Sequence, residues 1–166
     1  MSRTGEALSL ITVVVVDDHP FYRDGITRGL VHSGRMRVAG EAGGGRAGLD
    51  LIAHERPDVA VVDYQMPDLG GIAVLHSIIR DGLPTRVLLL SAVTDPAVVF
   101  QAIQDGASGY LSKDAKRSEI VDAVARVAAG HTVVPAELAV GLAEQCVVGV
   151  AEHGHEVRNQ AMGLAR

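Results

Sequence analysis

Three carboxylates, one hydroxyl and one ammonium recur in this chain at one kind of place, the downstream end of a short apolar run. Asp17 and Asp18 follow Leu10 to Val16. Asp63 follows Asp58 to Val62, Ser91 follows Arg86 to Leu90, and Lys113 comes just after Ser108 to Leu111. Three crowded carboxylates repel, and without compensation some of them hold a proton. A hard divalent cation removes the conflict. Magnesium takes about six oxygen ligands near 2.1 Å, commonly a few carboxylates with waters and a phosphate oxygen. A lysine adds a compact positive charge suited to phosphate. Phosphoryl transfer asks mainly for such positioning and neutralisation, and a carboxylate can itself accept the group as an aspartyl phosphate. These residue types point to phosphorylation of an aspartate with Mg2+ present.

Taken singly, each residue also has a plain structural reading. Asp17 and Asp18 read as caps of a helix starting near Pro20. Asp63 reads as a turn former ahead of Met66-Pro67, Ser91 as a strand-end serine, Lys113 as a solvated loop charge and Tyr110 as core packing. It is the set that carries the chemistry, and the set depends on what positions it.

Short apolar runs alternate with helical patterns. Leu10 to Val16 is a β-branched run of strand length, buried on both faces. Pro20 opens a helix carrying Phe21, Ile26 and Leu30, and Gly34 ends it. Met36 to Ala42 is a weaker strand, followed by a loop of Gly43, Gly44 and Gly45. A short helix around Leu49 and Ile52 stops before Pro57, and Asp58 to Val62 is a third strand. Ile72, Leu75, Ile78 and Ile79 mark a helix before the fourth strand, Arg86 to Leu90. Asp95-Pro96 caps and opens a fourth helix with Val98, Val99, Ala102 and Ile103, stopped by Gly106. Ser108 to Leu111 is a fifth strand. Ile120, Val121, Val124, Val127 and Ala128 form a last amphipathic helix, ended by Gly130. Such alternation predicts an α/β, doubly wound, five-stranded parallel sheet with helices on both faces and right-handed crossovers. In such sheets chemistry collects beyond the carboxyl ends of the strands, where the five residues stand.

Composition narrows the class. With 166 residues, 48% of them hydrophobic, and a net charge of -5, the chain is a folded domain with little besides. No apolar run approaches the roughly 20 residues of a membrane span, and the N-terminus lacks the pattern of a signal peptide. A cytoplasmic protein without membrane contact is expected. The single Cys146 excludes an internal disulfide and reads as a small apolar residue. With 15 basic against 20 acidic side chains and no tryptophan, these residues carry no basic face or stacking platform for nucleic acid.

The stretches VVVVDDHP, VVDYQMPDLGG, LLLSA and GYLSKDA, in this order, resemble the receiver domain of bacterial two-component response regulators. The NarL/LuxR-type subfamily, in which Lys-Asp-Ala often follows the fifth strand, is the nearest likeness, and it covers roughly Leu10 to Gly130. The resemblance implies a flavodoxin-like strand order 2-1-3-4-5 and a switch rather than an enzyme, with only self-catalysed phosphotransfer and autodephosphorylation. By the same likeness Asp63 is the phosphoacceptor. Asp18 and Asp17 bind Mg2+ with Asp63, and the backbone carbonyl of Gln65 completes the protein ligands. Ser91 is the switch hydroxyl, Lys113 the phosphate-pairing lysine, and Tyr110 the aromatic that turns inward when Ser91 moves. Gln65 and Val93 occupy positions that tune dephosphorylation. A sensor histidine kinase is the implied donor, and the fourth helix, fifth strand and fifth helix the surface that changes. Homodimerisation on phosphorylation and a transcriptional output are implied as well. Residues 1–9 are then an N-terminal extension, 10–130 the receiver and 131–166 a linker with a helical tail over Ala136 to Val150. The 36 residues after Gly130 are too few for a DNA-binding output domain, so DNA contact would need a domain outside this chain.

Two other functions fit parts of the pattern. An aspartyl-nucleophile phosphohydrolase of the haloacid-dehalogenase type shares the nucleophile, Mg2+ and the sheet, but needs an acid where Gln65 stands. Gly43, Gly45 and Gly48 fit a dinucleotide-binding glycine pattern with Asp63 20 residues beyond Gly43. That site has no use for Asp17, Asp18 or Lys113. His19 reads as a neutral turn residue beside Pro20, and His153 and His155 lack the company expected of metal ligands.

Overall fold

A computed structural model describes residues 9–139. Five strands, β1 (Ile11–Val16), β2 (Met36–Ala42), β3 (Val59–Asp63), β4 (Arg86–Ser91) and β5 (Gly109–Ser112), alternate with five helices. The helices are α1 (Pro20–His32), α2 (Gly45–Glu55), α3 (Gly71–Arg80), α4 (Pro96–Gln104) and α5 (Arg117–Ala128). The sheet order is β2-β1-β3-β4-β5, and every pairing is parallel. The predicted α/β architecture and strand order are what the chain adopts. Among the described residues no helix is long and apolar enough to cross a membrane.

Burial on both faces follows from the strand sequences. Alternate residues point to opposite sides of a sheet. Val14, Val16, Ala60, Val62 and Leu89 therefore pack with Ile52 of α2, Leu75 and Ile78 of α3 and Val99 of α4. Val13, Val15, Val61, Leu88 and Leu90 pack with Ile26 and Leu30 of α1 and Ile120, Val124 and Val127 of α5. Every residue of β3 is buried, the site-bearing Asp63 included. Register then aligns the strand ends: Val16 lies opposite Val62, Asp63 opposite Leu90 and Ser91 opposite Ser112.

The helix boundaries carry three lessons. Asp95 caps α4 as expected, its carboxylate accepting the Ala97 amide at 2.9 Å. The stops Gly34, Gly106 and Gly130 take left-handed φ values of 75°, 113° and 98°, where a side chain would be strained. The glycine loop, by contrast, was expected to run through Gly45, and α2 begins there instead. The reason is a partner distant in sequence. Asp68 accepts the amides of Gly45 and Arg46 at 3.0 and 3.1 Å, satisfying helix donors that the N-cap Gly44, without a side chain, leaves open.

The same contact settles the dinucleotide reading against it. The helix end that would hold a pyrophosphate already holds the Asp68 carboxylate. The glycines serve packing: a Cβ on Gly45 would overlap the Leu69 carbonyl, and one on Gly48 would lie 2.6 Å from Val16 Cγ1.

After α5 the chain forms the expected short extended piece and attaches it to the sheet. Val133 makes a parallel bridge to Gly109, donating to Ser108 O at 3.0 Å and accepting from Tyr110 N at 2.9 Å. Residues 136–139 are helical; the rest of the expected tail helix, with Cys146, His153 and His155, lies outside the described residues.

Gly71 shows how tightly this frame holds the site. A Cβ there would lie 2.6 Å from the carbonyl oxygen of Asp63 and 2.9 Å from Leu89 Cδ2. Helix propensity alone favours alanine by about 1 kcal/mol. Gly71→Ala is nevertheless expected to lower stability by about 1–3 kcal/mol, the usual cost of overpacking, as read from the urea unfolding midpoint.

Candidate functional site

The strand ends bring Asp17, Asp18, Asp63 and Lys113 together in one cluster. Asp17 and Asp63 side chains are only 3% exposed, while Asp18 is 25% and Lys113 17% exposed. Lys113 Nζ lies 2.9 Å from Asp17 Oδ2 and 3.1 Å from Asp63 Oδ2. The loops are held from behind. Arg23 donates to the Asp17 carbonyl at 2.7 Å and pairs with Glu41 at 3.4 Å. The Gln65 amide donates to Asp63 Oδ1 at 3.2 Å, placing Gln65 in the turn that leaves β3. Neither acid caps α1. Its N-cap is His19, whose amide donates to Asp17 Oδ1 at 2.8 Å, so the capping reading of the pair fails.

Burial raises the Asp63 carboxyl above the ordinary carboxylate range, the Lys113 ammonium opposes this, and the Asp17 charge adds to it. Burial alone would lower the Lys113 amine, but Asp17 and Asp63 outweigh it and hold the amine above its usual value. One ammonium faces three carboxylates, so the cluster stays short of positive charge. Asp63 Oδ2, although within ion-pair range of Lys113, accepts no aligned hydrogen bond, and neither does the buried Asp18 Oδ1. Buried polar atoms left in this way are costly. One ligand atom from each of Asp17, Asp18, His19 and Asp63 lies within 4.8 Å of the others. A donor set of clustered carboxylate oxygens with unmet demand for positive charge fits a divalent cation.

Ser91 and Tyr110 lie beside this cluster and meet at Val93. Ser91 Oγ accepts the Val93 amide at 2.9 Å, and the Tyr110 hydroxyl donates to the Val93 carbonyl at 2.6 Å. Tyr110 is fully buried and packs edge-on against Tyr64 at 5.9 Å. The family likeness implied a ring that turns inward; here it is already inside, because Val93 satisfies its hydroxyl and Tyr64 covers its face.

Sequence reasoning missed two contributors. Tyr22 lies under Lys113, with Nζ 4.7 Å from the ring centroid, an attractive cation–π arrangement. Burial, and then the charges of Asp17, Asp63 and Asp114, push its phenol up to about 12. An aromatic one turn into the helix after the acidic pair was the available signal. The other is His19, whose ring turns onto the carboxylates although its sequence context suggested only a turn.

Residues 13–125 match the response regulator receiver domain family. The chain belongs to that family. This receiver is 50% identical over 133 residues to the transcriptional regulatory protein NarL of Mycobacterium tuberculosis, covering 80% of this chain and 62% of that protein. It is 34% identical over 134 residues to the response regulator GacA of Pseudomonas aeruginosa, covering 81% of this chain and 63% of that one. The chain thus spans a little over three-fifths of these relatives' length. The solved signal receiver domain of M. tuberculosis NarL superposes with a TM-score of 0.72 at 50% identity, over 74% of this chain and 98% of that one. A LuxR-family response regulator from Aurantimonas gives a TM-score of 0.77 at 29% identity, over 84% and 99%. The receiver is of NarL/LuxR type, and receivers are signalling switches rather than enzymes in the ordinary sense, which sets the phosphohydrolase alternative aside.

The raised Asp63 carboxyl has a stability consequence. Its proton is held more tightly in the folded chain than in the unfolded one, so the contribution of this group to stability in the cation-free receiver is lost as pH rises from the ordinary carboxylate range through its raised value. Asp63→Asn removes that charge while keeping the shape. It should raise the melting temperature at pH 7 in chelator by a few degrees and flatten the pH dependence; calorimetry showing a lower melting temperature would contradict this.

Proposed function

We propose that this receiver is a phosphorylation-operated switch in which Asp63 accepts a phosphoryl group from the phosphohistidine of a sensor kinase. The single observation that carries the reading is the buried Asp63 carboxylate, met at Oδ2 by Lys113 at 3.1 Å and clustered with Asp17 and Asp18. An Asp63 oxygen attacks phosphorus, the O–P bond of an acyl phosphate forms, and the N–P bond to the donor imidazole breaks. Lys113 moves from pairing two carboxylates to pairing a phosphoryl oxygen. Asp17, Asp18, Asp63 and the Gln65 carbonyl would hold Mg2+, which when bound would supply the charge neutralisation a phosphoryl group needs beside three acids.

The switch then runs through Val93. Ser91 Oγ leaves the Val93 amide for a phosphoryl oxygen, and the loop that also holds the Tyr110 hydroxyl resets. The changed surface is α4–β5–α5, and Val133, bonded to the Tyr110 amide, passes the change to the chain beyond α5. Homodimerisation on this face completes the reading, with control of transcription through a DNA-binding domain outside these residues, as the transcriptional regulatory role in the name of the M. tuberculosis relative suggests.

Incubation with acetyl phosphate and Mg2+, followed by intact-mass measurement, tests the assignment. The wild type should gain one phosphoryl group, chelator should abolish the gain, and Lys113→Ala should slow it by about 10²-fold. Labelling of Asp63→Asn at the wild-type rate would overturn it.

A further inference from the structure

One ring nitrogen in the acidic cluster has no role so far. His19 Nδ1 lies 3.0 Å from Asp17 Oδ1, 3.1 Å from Asp18 Oδ1 and 3.7 Å from Asp63 Oδ2. Lys113 Nζ is 3.3 Å away. The helix does not require this placement, since the His19 side chain makes no capping bond to α1. Packing does not impose it either, since the side chain is 64% exposed. Nδ1 hydrogen-bonds Asp17 Oδ1 at 3.0 Å, and this bond is what turns the exposed imidazole onto the carboxylates.

The separations are those of neighbouring ligands on one ion. Two donor atoms at adjacent corners of an octahedron with bonds near 2.1 Å stand about 3.0 Å apart. Nδ1 holds that spacing from both Asp17 and Asp18. Asp63 Oδ2, buried and paired with Lys113 at 3.1 Å, belongs to the same group of ligand atoms.

We propose that His19 is a further protein ligand of the cation site, binding through Nδ1, and that it tilts the site toward borderline divalent ions such as Mn2+, Co2+ and Ni2+. The proposal rests on the reading of the carboxylates as a cation site. Carboxylate and water oxygens suit magnesium, whereas imidazole nitrogen suits the later first-row ions. With a cation bound, the proton would sit on Nε2 and Nδ1 would turn its lone pair to the ion in place of its hydrogen bond to Asp17. A borderline ion held in this way competes with magnesium for the same three carboxylates, so the identity of the available metal would govern how readily the switch charges.

The test uses the full chain, stripped with chelator and loaded with Mn2+, as wild type and as His19→Ala. Pulsed electron paramagnetic resonance should show imidazole nitrogen modulation in the wild type, and excess Mg2+ should remove it. His19→Ala should still bind Mn2+ in competition with Mg2+ but without that modulation. Its Ni2+ affinity should fall at least about tenfold further than its Mg2+ affinity, since even an outer-shell partner is worth that much. Mg2+-competed Mn2+ binding with no nitrogen modulation in the wild type overturns the role of His19 and leaves the cation site standing. An equal loss of Ni2+ and Mg2+ affinity in His19→Ala overturns the selectivity. Absence of any Mg2+-competed Mn2+ binding overturns both readings together.

Discussion

The repulsion among Asp17, Asp18 and Asp63 is the constraint on which the rest depends. No chain of this size would gather three carboxylates at a largely buried position for stability, because burial disfavours each charge and each charge disfavours the next. They are held there by a sheet whose two faces are closed by separate apolar layers. The parallel register brings the ends of β1 and β3 level, and the stiffness of the packed sheet prevents the acids from separating. Lys113, seated over the Tyr22 ring, meets part of the demand for positive charge. What is left unmet is the capacity to take a cation and a phosphoryl group.

That unmet demand connects to the far side of the domain by few links. Ser91 and Tyr110 each hold one end of the Val93 peptide. Tyr110 in turn uses its amide to hold Val133, and its ring lies in the core layer against which Val134 and Leu138 pack. A change of partner at Ser91 therefore acts on a backbone unit tied to both the core and the segment after α5. Tyr110 is buried in this state, and its hydroxyl and Ser91 meet at the Val93 peptide.

Much of this was legible in the residues because local chemistry and tertiary placement agree. β-branched runs buried on both faces marked β1 and β3, Asp95-Pro96 marked the start of α4, and the residues just after the apolar runs marked the site. What was hidden depended on partners far away in sequence. The start of α2 at Gly45 needs Asp68, 23 residues on. The inward Tyr110 needs the Val93 carbonyl, 17 residues before it. Gly45 and Gly48 looked like a nucleotide loop because close packing against Leu69 and Val16 selects the same residue type as a phosphate cradle. His19 looked like a turn residue because nothing in the order of residues says which way an exposed ring will face.

The central claim is that Asp63 is kept short of positive charge until a cation arrives. Carboxyl-carbon NMR of the receiver, with Asp63 assigned by its loss in Asp63→Asn, reads this directly as a pH titration in chelator and again in saturating Mg2+. The account predicts an Asp63 titration above the ordinary carboxylate range in chelator, moving well below it when Mg2+ is added. An Asp63 that titrates in the ordinary range and is indifferent to Mg2+ would contradict it.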